Sequence, residues 1–205
     1  REQGKIILVS NPGPREGKTT TVANLAITYA NMGKKTLLVD SDLRKPVLHQ
    51  MFKNIKQNNG LTNFLTNSEK NINNIIISTS VENLSIVTSG ITPPNPSEIL
   101  SSNLMEEFIN KVKKDFDIIL FDTPPLVAVT DAFVITKFAD KFLLVIRASA
   151  TEKGALERSL TNISNIGHNI DGVVFNGVDE SNTYGGGYYY NYYQYYYGNE
   201  GNEQK

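Results

Sequence analysis

Short, continuous apolar runs recur along the chain: KIILVS at 5–10, KTLLVD at 35–40, LSIVTSG at 84–90, DIILFD at 117–122, KFLLVIRA at 141–148 and DGVVFNGV at 171–178. Runs that are apolar at every position, rather than at every second one, predict strands covered on both faces. Between them the apolar positions take helical spacing. Val22, Leu25, Ala26, Tyr29 and Ala30 form one stripe, with Gly33 as its stop. Leu104, Met105, Phe108, Ile109 and Val112 form a second. Leu156, Leu160 and Ile163 form a third, stopped by Gly167. Strands alternating with helices predict an α/β fold, a three-layer sandwich with a mostly parallel central sheet and helices on both faces. Ligands of such sheets bind at the carboxyl ends of the strands, so chemistry is expected in the loops after residues 9, 40, 88, 122, 147 and 176. Beyond Asp179 aliphatic periodicity stops and Gly, Tyr and Asn dominate. The reading is a folded domain at 1–179 and a flexible tail at 180–205.

The first of those loops, SNPGPREGKTT, follows a strand and opens a helix. This is the setting of a phosphate-binding loop, in which backbone N–H groups and the helix N-terminus face the phosphates. Gly13, Pro14, Arg15, Glu16, Gly17, Lys18, Thr19 and Thr20 are the nucleotide-binding candidates, with Lys18 reaching the outer phosphates and the Thr19 hydroxyl reaching magnesium. Pro12 stands where the G-x-x-x-x-G-K-[ST] pattern has its first Gly. The fold expected is therefore P-loop NTPase-like. The bland alternative is a polar turn with a chance GKT.

LLVDSDLRKP ends the second strand with Asp40 and Asp42, and IILFDTPP ends a later one with Asp122. Carboxylates at strand tips beside a phosphate loop suit a hard cation that prefers oxygen, keeps waters and is shared with substrate phosphates. Asp40 is the candidate general base. Asp122 is placed in the magnesium shell and Asp42 supports either role; Lys18, Asp40, Asp42 and Asp122 make the catalytic set. Each aspartate alone is equally well read as a cap of the next turn. Arg44 and Lys45 are read either as binding phosphate or a neighbouring subunit, or as a solvated basic turn. Lys18→Met is expected to abolish phosphoryl transfer and to leave the fold intact.

Composition narrows the choice. A net charge of -1 gives no bulk basic field for nucleic acid. Without cysteine there is neither a disulfide framework nor a thiolate metal site, and His49 and His168 form no ligand pattern. No apolar run is long enough to span a bilayer, and REQGK does not read as a signal peptide, so an intracellular protein is expected.

These motifs together resemble the bacterial tyrosine kinases, or BY-kinases, of capsule and exopolysaccharide operons. PREGKTT resembles their Walker A segment, LLVDSDLRKP their Walker A′ motif and IILFDTPP their Walker B motif; PPNPSEIL at 93–100 is similar to a further family segment. The tail resembles the family's tyrosine cluster: Tyr184, Tyr188, Tyr189, Tyr190, Tyr192, Tyr193, Tyr195, Tyr196 and Tyr197. Arg15 departs from the family's usual Gly. The resemblance implies ATP-dependent phosphorylation of tyrosine, including the tail tyrosines of neighbouring copies. Thr19, Asp42 and Asp122 would hold Mg²⁺. It further implies a membrane-protein activator that recruits the cytoplasmic chain to the inner face of the membrane, as a separate polypeptide in Gram-positive members; the chain is equally read as the kinase half of a fused protein. Ring-shaped homo-oligomers and protein substrates in sugar-nucleotide and polysaccharide synthesis complete the expectation. Related P-loop ATPases often place an Asn that contacts adenine where Asn176 stands; an Asx-turn is the alternative. A tail of flexible chain reaches roughly 20–24 Å from Asp179 to Tyr195, which allows contact with a neighbour. Two rivals remain open: an ATPase switch like ParA or MinD, whose signature lysine position is Gly13 here, and a nucleotide-regulated scaffold for polysaccharide assembly.

Overall fold

The computed structural model describes residues 3–52, 54–127 and 131–178. The tail boundary at 179 and the tyrosines from Tyr184 to Tyr197 lie outside the described residues. Seven strands form one sheet: β1 (Lys5–Ser10), β2 (Thr36–Asp40), β3 (Ile77–Ser78), β4 (Leu84–Val87), β5 (Ile118–Asp122), β6 (Lys141–Arg147) and β7 (Gly172–Asn176). Their spatial order is β3-β4-β2-β5-β1-β6-β7. All pairings are parallel except the short β3–β4 one. The expected α/β sandwich is therefore present, and each predicted apolar run contains one of its strands.

Helix α1 (Lys18–Asn31) covers one face, burying Val22, Ala23, Ala26 and Ala30. Their small side chains bring the helix close to Ile7, Val9 and Leu38 of the sheet. The other face carries α2 (Leu61–Leu65), α3 (Pro96–Leu100), α4 (Asn103–Asp115), α5 (Asp131–Thr136) and α6 (Lys153–Asn165) around a core that includes Phe108, Phe121 and Phe142. The predicted stripe of α4 is inward-facing, with Met105, Phe108, Ile109 and Val112 buried. Gly33 and Gly167 follow the ends of α1 and α6 as expected. Among the described residues no helix is long and apolar enough to cross a membrane.

The loop after β4 supports a helix. Its Thr88 and Ser89 carbonyls accept from the Leu61 and Thr62 amides at 2.8 and 2.9 Å and so seat α2. The loops after β1, β2, β5, β6 and β7 do converge at one end of the sheet.

Phe108 is fully buried and its ring lies 6.0 Å from that of Phe64, tying α4 to α2. Phe108→Ala should cost about 3–5 kcal/mol in chemical denaturation, the usual range for emptying a buried aromatic site. A loss under about 1 kcal/mol would show that α4 repacks freely.

Candidate active site

Strand β1 runs directly into the phosphate loop, and α1 begins at Lys18. No side chain caps α1, and its first turn holds no acidic residue. The N-terminal N–H groups and the positive end of the helix dipole are thus left for an anion. Gly17 sits at φ +90°, and a Cβ there would lie 2.0 Å from the Asn176 Nδ2. Both the left-handed backbone and the close approach of Asn176 demand glycine at this position.

The loop is braced from several sides. Glu16 is buried, its carboxylate turned inward to accept from the Gly13 amide at 3.0 Å and from the Thr151 hydroxyl at 2.6 Å. Arg147 donates to the Arg15 carbonyl at 3.2 Å, and Asn176 donates to the Glu16 carbonyl at 3.0 Å. The Asn176 Oδ1 accepts from the amide of the next residue, Gly177, at 2.9 Å, one residue short of the Asx-turn pattern. Asn176 therefore meets the candidate site through the loop it supports. A cavity of about 350 Å³ opens between this loop, Val127 and the start of α6, with Glu152 and Arg158 at its polar rim.

The three predicted aspartates meet beside the loop. Asp40 and Asp122 are opposite each other across the β2–β5 pair. Lys18 is buried and ion-paired with Asp122, and the Thr19 hydroxyl bonds the same carboxylate. The Asp40 oxygens accept from the Asp42 amide at 3.2 Å and the Leu48 amide at 3.3 Å, and Asp42 accepts from the Lys45 amide at 3.0 Å. Ser41 donates through both amide and hydroxyl to the Asp122 carbonyl, at 2.9 and 2.8 Å, so the loop after β2 is sewn to the end of β5. Among the described residues no three acidic or imidazole groups close into a metal cage. A cation here would need further oxygens from phosphate and water, as Mg²⁺ ordinarily takes.

Burial, reinforced by the neighbouring Asp122 carboxylate, pushes Asp40 well above the ordinary carboxylate range against the pull of Lys18. Burial also raises Asp122, with Lys18 acting in the lowering direction. Two sequence-based readings change. Lys18 is not a free loop cation: its removal leaves a buried carboxylate unpaired, so Lys18→Met disturbs the fold as well as the chemistry. Arg44 is partly exposed but not a free cation. Its guanidinium grips Asp131, Nε to Oδ2 at 2.7 Å and Nη2 to Oδ1 at 3.1 Å. Glu16, Thr151, Arg147, Ser97 and Asp131 also support the site, and periodicity gives no sign of them. The one legible hint was PPNPSEIL, which supplies Ser97.

The AAA domain family matches residues 4–173. The tyrosine-protein kinase YwqD of Bacillus subtilis (strain 168) is 37% identical over 187 residues, covering 91% of this chain and 78% of the relative. This chain belongs to the bacterial tyrosine kinases. Membership makes it an enzyme of the protein-tyrosine kinase class on a nucleotide-binding fold. The ptk kinase of Acinetobacter johnsonii is 35% identical over 87% of this chain but only 24% of its own length. Among solved structures, the kinase domain of the Escherichia coli tyrosine kinase ETK superposes with a TM-score of 0.81 at 30% identity, over 85% of this chain and 68% of that one. The cell division ATPase MinD of Pyrococcus furiosus shares the fold at a TM-score of 0.70 and 25% identity, over 84% of this chain and 71% of that one. The kinase relatives are thus nearer than this representative of the rival switch ATPases.

The raised carboxyls give this kinase a signed pH dependence. The folded chain holds the Asp40 proton more tightly than the unfolded chain does. The stability this brings is complete below the unfolded value of about 3.9 and is lost as pH rises through the raised folded value. With nucleotide and metal removed, Asp40→Asn should therefore lose less Tm than the unmodified chain between about pH 5 and about pH 8. Parallel Tm profiles would show that Asp40 ionises in the fold as easily as in water.

Proposed function

We propose that this chain is an ATP-dependent protein-tyrosine kinase that phosphorylates its own C-terminal cluster between subunits and thereby regulates capsular or exopolysaccharide synthesis and export. The observation that carries the reading is the uncapped N-terminus of α1 with Lys18, Thr19, Asp40, Asp42 and Asp122 gathered beside it. ATP is the phosphoryl donor. Backbone groups of residues 13–20 cradle its phosphates, and Asn176 acts from the base side through the loop. Thr19, Asp42 and Asp122 hold Mg²⁺, a hard-oxygen set that suits the ion; Mg²⁺ supplies charge screening for the transferring group. Lys18 must leave Asp122 to reach phosphate, so substrate binding exchanges one partner of the lysine for another. Asp40 takes the proton of the incoming phenol as its oxygen bonds the γ-phosphorus and the bond from that phosphorus to the leaving ADP breaks, and burial suits it to this by strengthening its hold on a proton.

The acceptors are Tyr184, Tyr188, Tyr189, Tyr190, Tyr192, Tyr193, Tyr195, Tyr196 and Tyr197. The partners are other copies in a ring, protein substrates of polysaccharide synthesis, and a membrane-protein activator that brings the cytoplasmic chain to the membrane. Each phosphate adds about -1.5 to -2 charges to the tail, so phosphorylation expels it from the acidic site and loosens the ring.

Incubation with ATP and Mg²⁺ over a range of protein concentrations, followed by mass spectrometry of the tail, tests the reading. Phosphate on residues 184–197, forming at a rate per molecule that rises with concentration, is the expected result. Its absence even with the activator's cytoplasmic segment added would favour the ATPase switch. Lys18→Met should form no phosphotyrosine. It should also lower the stability of the nucleotide-free chain by about 2–3 kcal/mol, less than the usual 3–5 for a broken buried pair, because Asp122 can take up a proton. Unaltered turnover would remove Lys18 from the mechanism.

A further inference from the structure

Asp131 is fully buried at the start of α5, yet the chemistry above makes no use of it. A buried carboxylate is unfavourable unless donors surround it. Here the donors come from segments far apart in sequence. Arg44 supplies Nε at 2.7 Å and Nη2 at 3.1 Å, and the Ser97 hydroxyl bonds the same carboxylate. Arg44 belongs to the loop that carries Asp40 and Asp42. Ser97 lies in α3. Asp131 itself follows the segment that leaves β5 at Asp122, and that segment is tied to the phosphate loop through Leu126 N to the Asn11 carbonyl at 2.8 Å and Thr123 Oγ1 to the Val9 carbonyl at 3.1 Å.

We infer that Asp131 is a positioning residue for phosphoryl transfer: through Arg44, its buried carboxylate holds the loop of Asp40 and Asp42 in register with the phosphate loop. The inference rests on the kinase reading above. A guanidinium fork gripping both carboxylate oxygens fixes orientation as well as distance, which a lysine at position 44 would not do. The Arg44 side chain is 43% exposed while Asp131 is fully buried, so water screens the pair from the arginine side only. Its main consequence is local. The loop from Asp40 to Leu48 is wound on its own carboxylates, through Asp40 to the Asp42 and Leu48 amides and Asp42 to the Lys45 amide, and its start is sewn to β5 at Ser41. Beyond Ser41, Arg44 is its tether to α5. Cutting the tether leaves the phosphate loop braced by Glu16, Arg147 and Asn176, while the acidic loop can shift. Metal-dependent steps should suffer and metal-free nucleotide binding should not.

The test uses the whole chain, a fluorescent ATP analogue titrated with and without Mg²⁺, and phosphotyrosine formation on a Glu-Tyr copolymer with the activator segment supplied. For Arg44→Lys and Asp131→Asn, the Mg²⁺ concentration that half-saturates the nucleotide complex should rise about tenfold and kcat should fall about tenfold, the scale seen when supports of a metal site are removed. Metal-free affinity for the analogue should stay within about twofold, since α1 and its loop are untouched. Ser97→Ala should shift the Mg²⁺ midpoint in the same direction by less. If Asp131→Asn fails to fold, Arg44→Lys decides, because its half-exposed side chain can be changed without opening the core. An unchanged Mg²⁺ midpoint, or equal losses with and without metal, overturns the inference. An unmodified chain that forms no phosphotyrosine, with variants that still show the Mg²⁺ shift, overturns the kinase reading and leaves the positioning role standing.

Discussion

Negative charge concentrated at the carboxyl ends of two adjacent parallel strands is the constraint around which this molecule is organised. Asp40 and Asp122 are almost completely buried and face each other across the β2–β5 pair, with Asp42 two residues on. A buried carboxylate needs either an opposite charge or donors. Lys18 and Thr19 serve Asp122, and backbone amides serve Asp40. The balance is incomplete, since burial still pushes both acids toward the protonated form. A site of this kind has affinity for cations built into its electrostatics. It also binds its lysine to a resident carboxylate, Asp122.

Parallel topology explains why these groups meet. Every strand from β1 to β7 apart from β3 ends on the same side, so the loops that follow are neighbours whatever their separation in sequence. The loops after β1, β2 and β5 are then joined by backbone bonds, Ser41 to Asp122 and Leu126 to Asn11. The β6 and β7 ends reach the phosphate loop through Arg147 and Asn176. Short polar links thereby join each of these loops to the next. The Arg44–Asp131 contact, buried on the aspartate side, belongs to the same set.

Much of this was legible in the sequence because it depends on local pattern. Unbroken apolar runs marked all the strands but β3, whose two residues pair antiparallel at the sheet edge and are too short for any period. The helices α1, α4 and α6 have at least three turns and showed clear stripes; α2, α3 and α5 have five or six residues and showed none. Lys18, Thr19 and the three aspartates were singled out because they sit at fixed offsets from a strand, and the fold does bring them together. Asp131 was not, since nothing in VTDAF indicates that its carboxylate will be enclosed by donors from residues 44 and 97. Glu16 was found for its place in the loop, but its inward turn toward Thr151 is a tertiary fact. Lys18 was misjudged for the same reason: sequence shows a lysine beside a glycine, and only the fold shows the aspartate opposite.

The phosphate loop shows how such contacts can replace sequence rules. It lacks glycine at Pro12, and Arg15 occupies a left-handed conformation at φ +63° where a glycine would sit without strain. A non-glycine residue there costs about 1–2 kcal/mol. The neighbouring contacts oppose that cost: Arg147 holds the Arg15 carbonyl, the Glu16 carboxylate bridges Gly13 and Thr151, and Asn176 locks the Glu16 carbonyl. With each bond worth about 0.5–1.5 kcal/mol net, rising when a partner is charged, four of them suffice to hold one strained residue. The glycine that cannot be replaced in this way is Gly17, because there the bracing residue itself occupies the space a side chain would need. The loop therefore keeps glycine where Asn176 packs against it, and elsewhere holds its shape through side chains supplied by β6, β7 and the turn before α6.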